Sequence, residues 1–379
     1  MTQIIGPGST IGILGAGQLG RMLAISARQM GYRVAVFGGD RSSPCGQVSD
    51  MIWPEDYDNA AQLREFATVS DVVTYEFENI PAFAAQCIAA HTELRPGVSL
   101  LGTAQNRFAE KTALTKLGLP TARFQMVHNA AELVAAHREF GGDVILKANT
   151  DGYDGKGQWA ISPAADVESL WQECGLKSGL LEQKVSFEFE LSMIAGRFAN
   201  GHCVFYDPFL NHHAHHILDV SISGSPQVTA DIAARAEQMA RAVLEHFNVV
   251  GVLCIELFLT SAGELVVNEI APRPHNSGHL TIEAYNCSQF ELQLRTVCGL
   301  PDIPITRRAP VAAMANLLGQ HLPDTWTQNA MEAVSHAHLH MYGKLSAQTN
   351  RKMGHITVLD TLPDVAERRV RVARENLLT

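Results

Sequence analysis

The chain has 379 residues and a formal net charge of −10 at pH 7, which predicts two or three domains and argues against the basic face of a nucleic-acid binder. Its 7 cysteines are scattered, odd in number and without C-x-x-C spacing, a pattern of reduced cytosolic thiols rather than of a disulfide frame or a zinc knuckle. No stretch approaches the roughly 18 apolar residues of a membrane span, and the N-terminus has no basic segment followed by an apolar run, so neither a membrane partner nor a signal peptide is expected.

In chain order, Thr10–Leu14 is a short apolar strand. It runs into Gly15-Ala16-Gly17-Gln18-Leu19-Gly20 and a helical stretch, Arg21–Met30. Tyr32–Phe37 is the next strand, ending at Gly38-Gly39-Asp40, and Asp71–Glu76 is a third. Strands alternating with helices predict a parallel sheet with right-handed crossovers, in a first unit ending near residue 100. Asn106–Gly118 reads as helix. Asp143–Lys147 is a strand that enters a polar, glycine-rich loop, Asn149–Gln158. Gly179–Val185 and Phe187–Ile194 read as strands, and Ala230–Phe247 as a long amphipathic helix opened by Thr229 or Asp231. Beyond Leu300 the strands Val311–Leu318, Ala337–Tyr342 and His355–Leu359 predict a small β-rich terminal domain, closed by an Arg-rich helix from about Val365.

Several motifs carry chemistry. Gly15-x-Gly17-x-x-Gly20 matches a dinucleotide fingerprint, with Asp40 placed to hold a ribose hydroxyl. The same turn also occurs as plain structure, and its helix N-terminus can face the phosphate or ribose of another substrate. In Gly152-Tyr153-Asp154-Gly155-Lys156-Gly157-Gln158, exposed amides and a lysine can wrap phosphate oxygens as a lid, with Lys147 supplying a further charge; the loop is not a P-loop. A flexible turn with a solvated lysine is the plainer alternative. His212-His213-Ala214-His215-His216 lacks a spaced second ligand set, so a surface run is favoured over a metal site. Ser335–His340 alternates its histidines at strand spacing and reads as a polar strand face. Lys344, Arg351 and Lys352 lie near glycines on a loop suited to a phosphate monoester, or form an ordinary basic turn.

The densest run is Asn268-Glu269-Ile270-Ala271-Pro272-Arg273-Pro274-His275-Asn276-Ser277-Gly278-His279. Gly251–Thr260 and Leu265–Ile270 read as a hairpin closed at Ser261-Ala262-Gly263-Glu264. With Ala262-Gly263 as a two-residue turn, Glu256 falls opposite Glu269, Cβ atoms roughly 4.5–5.5 Å apart. Two such charges repel by about 4 kcal/mol at an effective dielectric near 20. A shared Mg²⁺ carrying substrate phosphates relieves this. A three-residue turn would instead make the pair diagonal, and protonation or solvation of one acid would remove the need for metal.

These strings, taken in order as G-A-G-Q-L-G-R-M, Y-E-F-E-N, N-R-F-A-E-K, G-Y-D-G-K-G-Q, N-E-I-A-P-R-P-H-N-S-G-H, S-Q-F-E, N-L-L-G, Y-G-K and R-K-M-G-H-I-T, closely resemble the 5-(carboxyamino)imidazole ribonucleotide synthases of the ATP-grasp superfamily, over nearly the whole chain. The resemblance implies an α/β (overall α+β) ATP-grasp fold. Its parts would be an N-terminal Rossmann-like parallel-sheet domain over residues 1–105, an ATP-grasp domain with the lid over 106–300, and a small β-rich C-terminal domain over 301–379. It implies a cytoplasmic homodimer that uses ATP, Mg²⁺ and bicarbonate to carboxylate 5-aminoimidazole ribonucleotide in purine biosynthesis, without nucleic-acid or membrane partners.

By the same resemblance, ATP would be met by Arg107, Lys147, Gly152, Tyr153, Asp154, Gly155, Lys156, Gly157, Gln158, Glu182, Gln183, Lys184, Val185, Glu190, His213, Asn268 and Glu269. Glu182 and the backbone at Lys184 and Val185 would read adenine, and Glu190 the ribose. Glu256 and Glu269 would ligate Mg²⁺. Arg273, His275, Asn276, Asp154 and Lys147 would serve catalysis, with Asp154 taking the amine proton. Gln18, Leu19, Glu76, Tyr153, Arg273, His275, Asn276, Lys344 and Arg351 would hold the ribonucleotide. One segment departs from the family: Asn211–Leu218 reads N-H-H-A-H-H-I-L, where acidic or glycine residues more often follow N-x-H. The competing readings are a formate-dependent glycinamide ribonucleotide transformylase, an NAD-dependent oxidoreductase, and a non-catalytic nucleotide-binding module.

Overall fold

The computed structural model describes residues 4–150 and 157–378. Its first sheet is parallel, in the order Met51–Trp53, Arg33–Phe37, Thr10–Leu14, Val72–Tyr75. Every residue of Thr10–Leu14 is buried, because apolar cores cover both faces of the sheet. On one face Leu19, Met22 and Leu23 of helix Gln18–Gln29 pack with Phe290, Leu294 and Val297 of helix Gln289–Val297. The other face packs Leu63 and Phe66 of helix Ala60–Val69 and Ala84 and Ile88 of helix Ala82–Ala89. A helix from late in the chain thus docks on the first sheet. The first helix begins three residues before the expected Arg21, and Met51–Trp53 was not foreseen because three residues carry no periodicity.

A second, four-stranded antiparallel sheet runs Phe124–Val127, Gly179–Gln183, Val144–Ala148, Gln158–Ile161. Helices Ala130–Phe140 and Val167–Cys174 pack on it through Leu133, Ala136 and Val167. Asn129 and Asp166 cap them by accepting from backbone amides, filling donors that a helix start leaves open. This sheet carries Lys147, Gln158, Glu182 and Gln183.

The third sheet is antiparallel and has nine strands, in the order Leu265–Ala271, Gly251–Leu259, Phe189–Arg197, Phe209–Ala214, Ile217–Ser223, Val311–Leu318, Lys352–Asp360, His338–Met341, with Cys203–Phe205 pairing Phe189–Arg197 off this path. The C-terminal strands therefore continue the central sheet through the Ser221–Met314 pairing. Sequence patterning could not reveal this join, because strand order is set by tertiary pairing. Helix Ala230–His246, capped by Thr229 rather than Asp231, buries Ala236, Ala240 and Val243 in the core of this sheet. No helix among the described residues is long and apolar enough to cross a membrane.

Candidate functional site

Glu256 and Glu269 are register partners on the hairpin Gly251–Leu259 and Leu265–Ala271. The route to that pairing differs from the expected two-residue turn. Leu259 pairs with Leu265, and Thr260 N donates to Glu264 O at 3.0 Å across a three-residue turn with Gly263 at φ +78°. Such a turn needs a left-handed residue, which glycine supplies without strain. It shifts the register by one. A bulge between the Glu256–Glu269 and Leu257–Val267 pairs, leaving Asn268 unpaired, shifts it back. The bulge is anchored from outside: buried Lys111 donates through Nζ to Asn268 O at 2.7 Å and to Thr121 Oγ1 at 2.9 Å.

Each acid meets a cation. Glu269 Oε2 accepts from Arg107 Nη1 at 3.1 Å, and Glu256 Oε1 lies 2.8 Å from His275 Nε2. Burial would raise the Glu256 carboxyl, but the hydrogen bond and charge of His275 outweigh it and hold it at about 2. Burial works against the His275 cation, while the Cys254 sulfur and Glu256 raise its imidazole to about 10. Glu110, in the helix Arg107–Lys116, accepts from Ile270 N. Its carboxyl is pushed up to about 8 by burial and the Glu269 charge. Glu78, Arg107, Glu110, Asn149 and Glu269 line one cavity.

The signature loop is rigid for visible reasons. Gln289 receives His275 N at 2.8 Å through Oε1 and donates to His275 O at 2.7 Å through Nε2. Ser277 Oγ sits 2.8 Å from His275 Nδ1. Arg273 forks onto Glu78, Nε to Oε2 at 2.5 Å and Nη2 to Oε1 at 2.9 Å. Both Asn276 amide atoms are buried without a hydrogen-bond partner among the described residues, as expected of a group kept for a ligand.

On the second sheet, Lys147 Nζ donates to Glu182 Oε2 at 2.9 Å, and Lys111 Nζ stands 3.7 Å from the same oxygen. Glu182 Oε1 is buried without a partner among the described residues, which suits a donor such as an exocyclic amine. Lys184 N donates to Asp143 O at 3.0 Å, and Gln183 N to Arg123 O at 2.8 Å. Val185 directly follows them, half-buried. Gln158 pairs with Lys147, and Gly157 O accepts from Ala148 N at 2.8 Å. Glu190 and His213 meet side chain to side chain on adjacent strands. Gly152, Tyr153, Asp154, Gly155 and Lys156 lie outside the described residues.

Two expectations need correction. The Gly15–Gly20 turn does not offer its Gly17 and Gly20 amides to a dinucleotide phosphate. Glu76 fills that position, accepting from Gly17 N and, at 2.7 Å, from Gly20 N. A Cβ on Gly15 would lie 2.5 Å from Glu76 Cγ, and one on Gly17 2.6 Å from Glu76 Oε1. These glycines make room for the chain's own carboxylate. Asp40 is likewise occupied, bonded to Ser42 and Ser43 of its own turn. Second, the Leu19 side chain belongs to the apolar core, so only its backbone is open to a ribose.

At the far end Lys344 donates to Gln18 Oε1 at 2.9 Å and to Lys352 O. Arg351, exposed, donates to Ser346. His212 and His213 turn to Glu367 and Glu190 respectively, while His215 and His216, at φ 52° and 65°, form the following hairpin turn. Sequence reasoning gave no role to Glu78, Glu110, Lys111 or Gln289, although all lie inside the quoted motifs; the second acid of Y-E-F-E-N was the available signal.

Comparison with known proteins decides between the readings. Residues 9–105 match the ribonucleotide synthetase preATP-grasp domain, 112–290 the ATP-grasp domain, and 312–369 the phosphoribosylaminoimidazole carboxylase C-terminal domain. The N5-carboxyaminoimidazole ribonucleotide synthase of Bacillus subtilis (strain 168) is 42% identical over 357 residues, covering 94% of this chain and 93% of the relative. The chain belongs to the N5-carboxyaminoimidazole ribonucleotide synthase family. The fold is accordingly ATP-grasp, and the chain is an ATP-grasp ligase. The crystal structure of the synthetase purK with ADP superposes with a TM-score of 0.92 at 38% identity, covering 99% of this chain and 98% of that one. The Aspergillus clavatus synthase with ADP and 5-aminoimidazole ribonucleotide gives 0.89 at 29%, covering 98% of each. Family membership sets aside the transformylase, oxidoreductase and non-catalytic readings.

Proposed function

We propose that the chain uses ATP and bicarbonate to carboxylate 5-aminoimidazole ribonucleotide to 5-(carboxyamino)imidazole ribonucleotide through carboxyphosphate, releasing ADP and phosphate in purine biosynthesis. The observation that carries this reading is the register-opposed Glu256 and Glu269 beside the Arg273–Glu78 fork, in a chain matching the synthase family end to end. Its functional units are residues 1–105, 106–300 and 301–379. It works in the cytoplasm as a homodimer, a state that light scattering tests.

The two opposed carboxylates suit a hard divalent cation better than a transition metal. Glu256 and Glu269 would hold Mg²⁺, which supplies charge neutralisation at the transferring phosphoryl group. Lys147 and Arg107 add fixed positive charge there. Arg273 is oriented by Glu78 and keeps Nη1, 3.2 Å from Pro274 O, as a donor toward a phosphoryl oxygen. Glu182, Gln183, Lys184 and Val185 take the adenine edge, Glu190 the ribose with His213 behind it, and Asn268 and the 152–158 lid the phosphates.

Bicarbonate oxygen attacks the γ-phosphorus, the bridging P–O bond breaks, and ADP leaves. The ribonucleotide amine then attacks the carboxyl carbon, phosphate departs, and the amine proton passes to Asp154. His275 and Asn276 orient that step, with Tyr153 among the substrate-binding residues. Exclusion of water protects carboxyphosphate from hydrolysis. Lys344 and Arg351 hold the ribonucleotide phosphate, with Gln18, the Leu19 backbone and Glu76 at its ribose.

The test is phosphate release from ATP, which should require Mg²⁺ and bicarbonate and be stimulated by 5-aminoimidazole ribonucleotide. Formate with glycinamide ribonucleotide should not replace them. Release that ignores bicarbonate would overturn the reading.

A further inference from the structure

Three imidazoles stack where the signature loop meets the last strands. His279 and His355 have centroids 4.6 Å apart with planes within 5°, and His355 and His340 are 4.5 Å apart within 13°. Phe290 closes the inner end, 5.6 Å from His279. Glu283 closes the outer end, its Oε1 2.7 Å from His340 Nε2. The rings come from three segments: the 3₁₀ turn Asn276–Leu280 and the strands Lys352–Asp360 and His338–Met341, on which His340 and His355 are direct partners.

His279 and His355 are fully buried. Among the described residues neither ring nitrogen of His279 has a hydrogen-bond partner, nor does His355 Nε2. Burial keeps both rings neutral, well below the ordinary imidazole range. For His279 the nearby His275, Lys352 and Lys344 charges act in the same direction as burial. Two neutral imidazoles held face to face, hydrogen-bonded only through His355 Nδ1 among the described residues, act as ring surfaces rather than as acids or bases.

The stack links two distant parts of the proposed substrate site. At one end His355 Nδ1 meets Tyr342 OH at 2.9 Å, and the buried Tyr342 ring lies 5.7 Å from the Lys344 ammonium. At the other, His279 stands three residues after Asn276 in a 3₁₀ turn, where positions i and i+3 eclipse, and four after His275. A run of neighbouring rings, continued by the backbone of the 3₁₀ turn, therefore joins the lysine assigned to the substrate phosphate to the residues assigned to the reacting amine.

We propose that the His279–His355 stack is a positioning element that sets the span between Lys344 and the carboxylation end at His275 and Asn276, and so selects a ribonucleotide of matching reach. The inference rests on Lys344 holding the substrate phosphate. Its strength comes from geometry: a displacement of about 1 Å at either end costs on the order of 100-fold in a site that works by orientation.

The experiment measures KM for 5-aminoimidazole ribonucleotide, KM for ATP and kcat in His279→Ala, His279→Phe, His355→Phe, Lys344→Ala and the double variant His279→Ala/Lys344→Ala, with thermal unfolding of each. His279→Ala should raise the ribonucleotide KM about tenfold or more and leave the ATP KM within about twofold. His279→Phe, which restores a ring face, should recover most of the loss. His355→Phe keeps the face but deletes the Tyr342 bond and should also raise the ribonucleotide KM. The double variant should lose less than the product of the single losses, because both act on one span. If Lys344→Ala leaves the ribonucleotide KM unchanged, the phosphate assignment falls and the inference with it. If Lys344→Ala raises that KM while His279→Ala and His355→Phe do not, or if the losses simply multiply, the positioning role alone is overturned. Should His279→Ala fail to fold, His355→Phe against Lys344→Ala decides in the same way.

Discussion

Glu78 receives the Arg273 guanidinium through two parallel hydrogen bonds, at 2.5 and 2.9 Å. Glu78 follows the last strand of the first sheet and Arg273 follows the acidic hairpin, so this fork clips the N-terminal unit to the reaction loop. The charge of Arg273 holds the Glu78 carboxyl below the usual carboxylate range against the opposing effect of burial. Glu78→Gln keeps the shape and removes the charge. A charge-assisted bond contributes about 1.5–3 kcal/mol, so kcat should fall roughly 10–100-fold, with Arg273→Lys as poor because the fork is lost. Steady-state phosphate release checks this, and an unchanged kcat in Glu78→Gln would show that the fork does not orient catalysis.

Glu256→Gln and Glu269→Gln should each abolish turnover while circular dichroism stays near wild type, with a lower unfolding midpoint because His275 and Arg107 lose their charged partners. Both side chains are partly exposed, at 22% and 37%, so little packing is disturbed. Binding of Mg²⁺ with ATP, followed by titration calorimetry, should weaken in both. Full activity in either variant would remove that acid from the metal site.

Lys344→Ala with Arg351→Ala should raise the ribonucleotide KM by roughly 10–100-fold for each charge-assisted hydrogen bond removed and leave the ATP KM in place. The two residues sit on the hairpin loop between His338–Met341 and Lys352–Asp360, remote from Lys147 and Glu182 in the fold order. Equal loss for both substrates would argue for a folding defect instead.

Asp219 ties the last helix to the central sheet, accepting from Arg371 Nη1 at 2.6 Å and from Arg374 Nη1. Burial raises its carboxyl, but the two guanidinium groups outweigh this and hold it below the ordinary value. A depressed folded-state value stabilises the fold above the unfolded-state value, near pH 4. That contribution is lost as pH falls through the folded-state value, lower still. Asp219→Asn should therefore cost roughly 2 kcal/mol at pH 7 and much less near pH 2–3. Urea unfolding at both pH values measures the difference; an equal cost at both would exclude the ion pair as its source.

The acidic pair was legible in the sequence, but by two compensating departures. The turn holds three residues where Ala262-Gly263 suggested two, and the bulge at Asn268 restores the register. Turn chemistry is local and can be read; the bulge depends on Lys111, which approaches from a helix more than 150 residues earlier in the chain. The glycine fingerprint misled for a similar reason. Its pattern reports a close approach to the helix N-terminus without naming what approaches, and Glu76 arrives from a neighbouring strand. Glu78 and Gln289 were invisible as functional residues because an acid after a strand and a glutamine in a helix are common, and only the partners they meet make them specific.

The pairing of Ser221 with Met314 carries a further consequence. A chain cut after residue 300 would leave Ile217–Ser223 as a bare rim, its amides and carbonyls unmatched beside Val220 and Ile222. Such a rim invites intermolecular strand addition, so the shortened polypeptide should precipitate rather than survive as a two-thirds-length nucleotide binder.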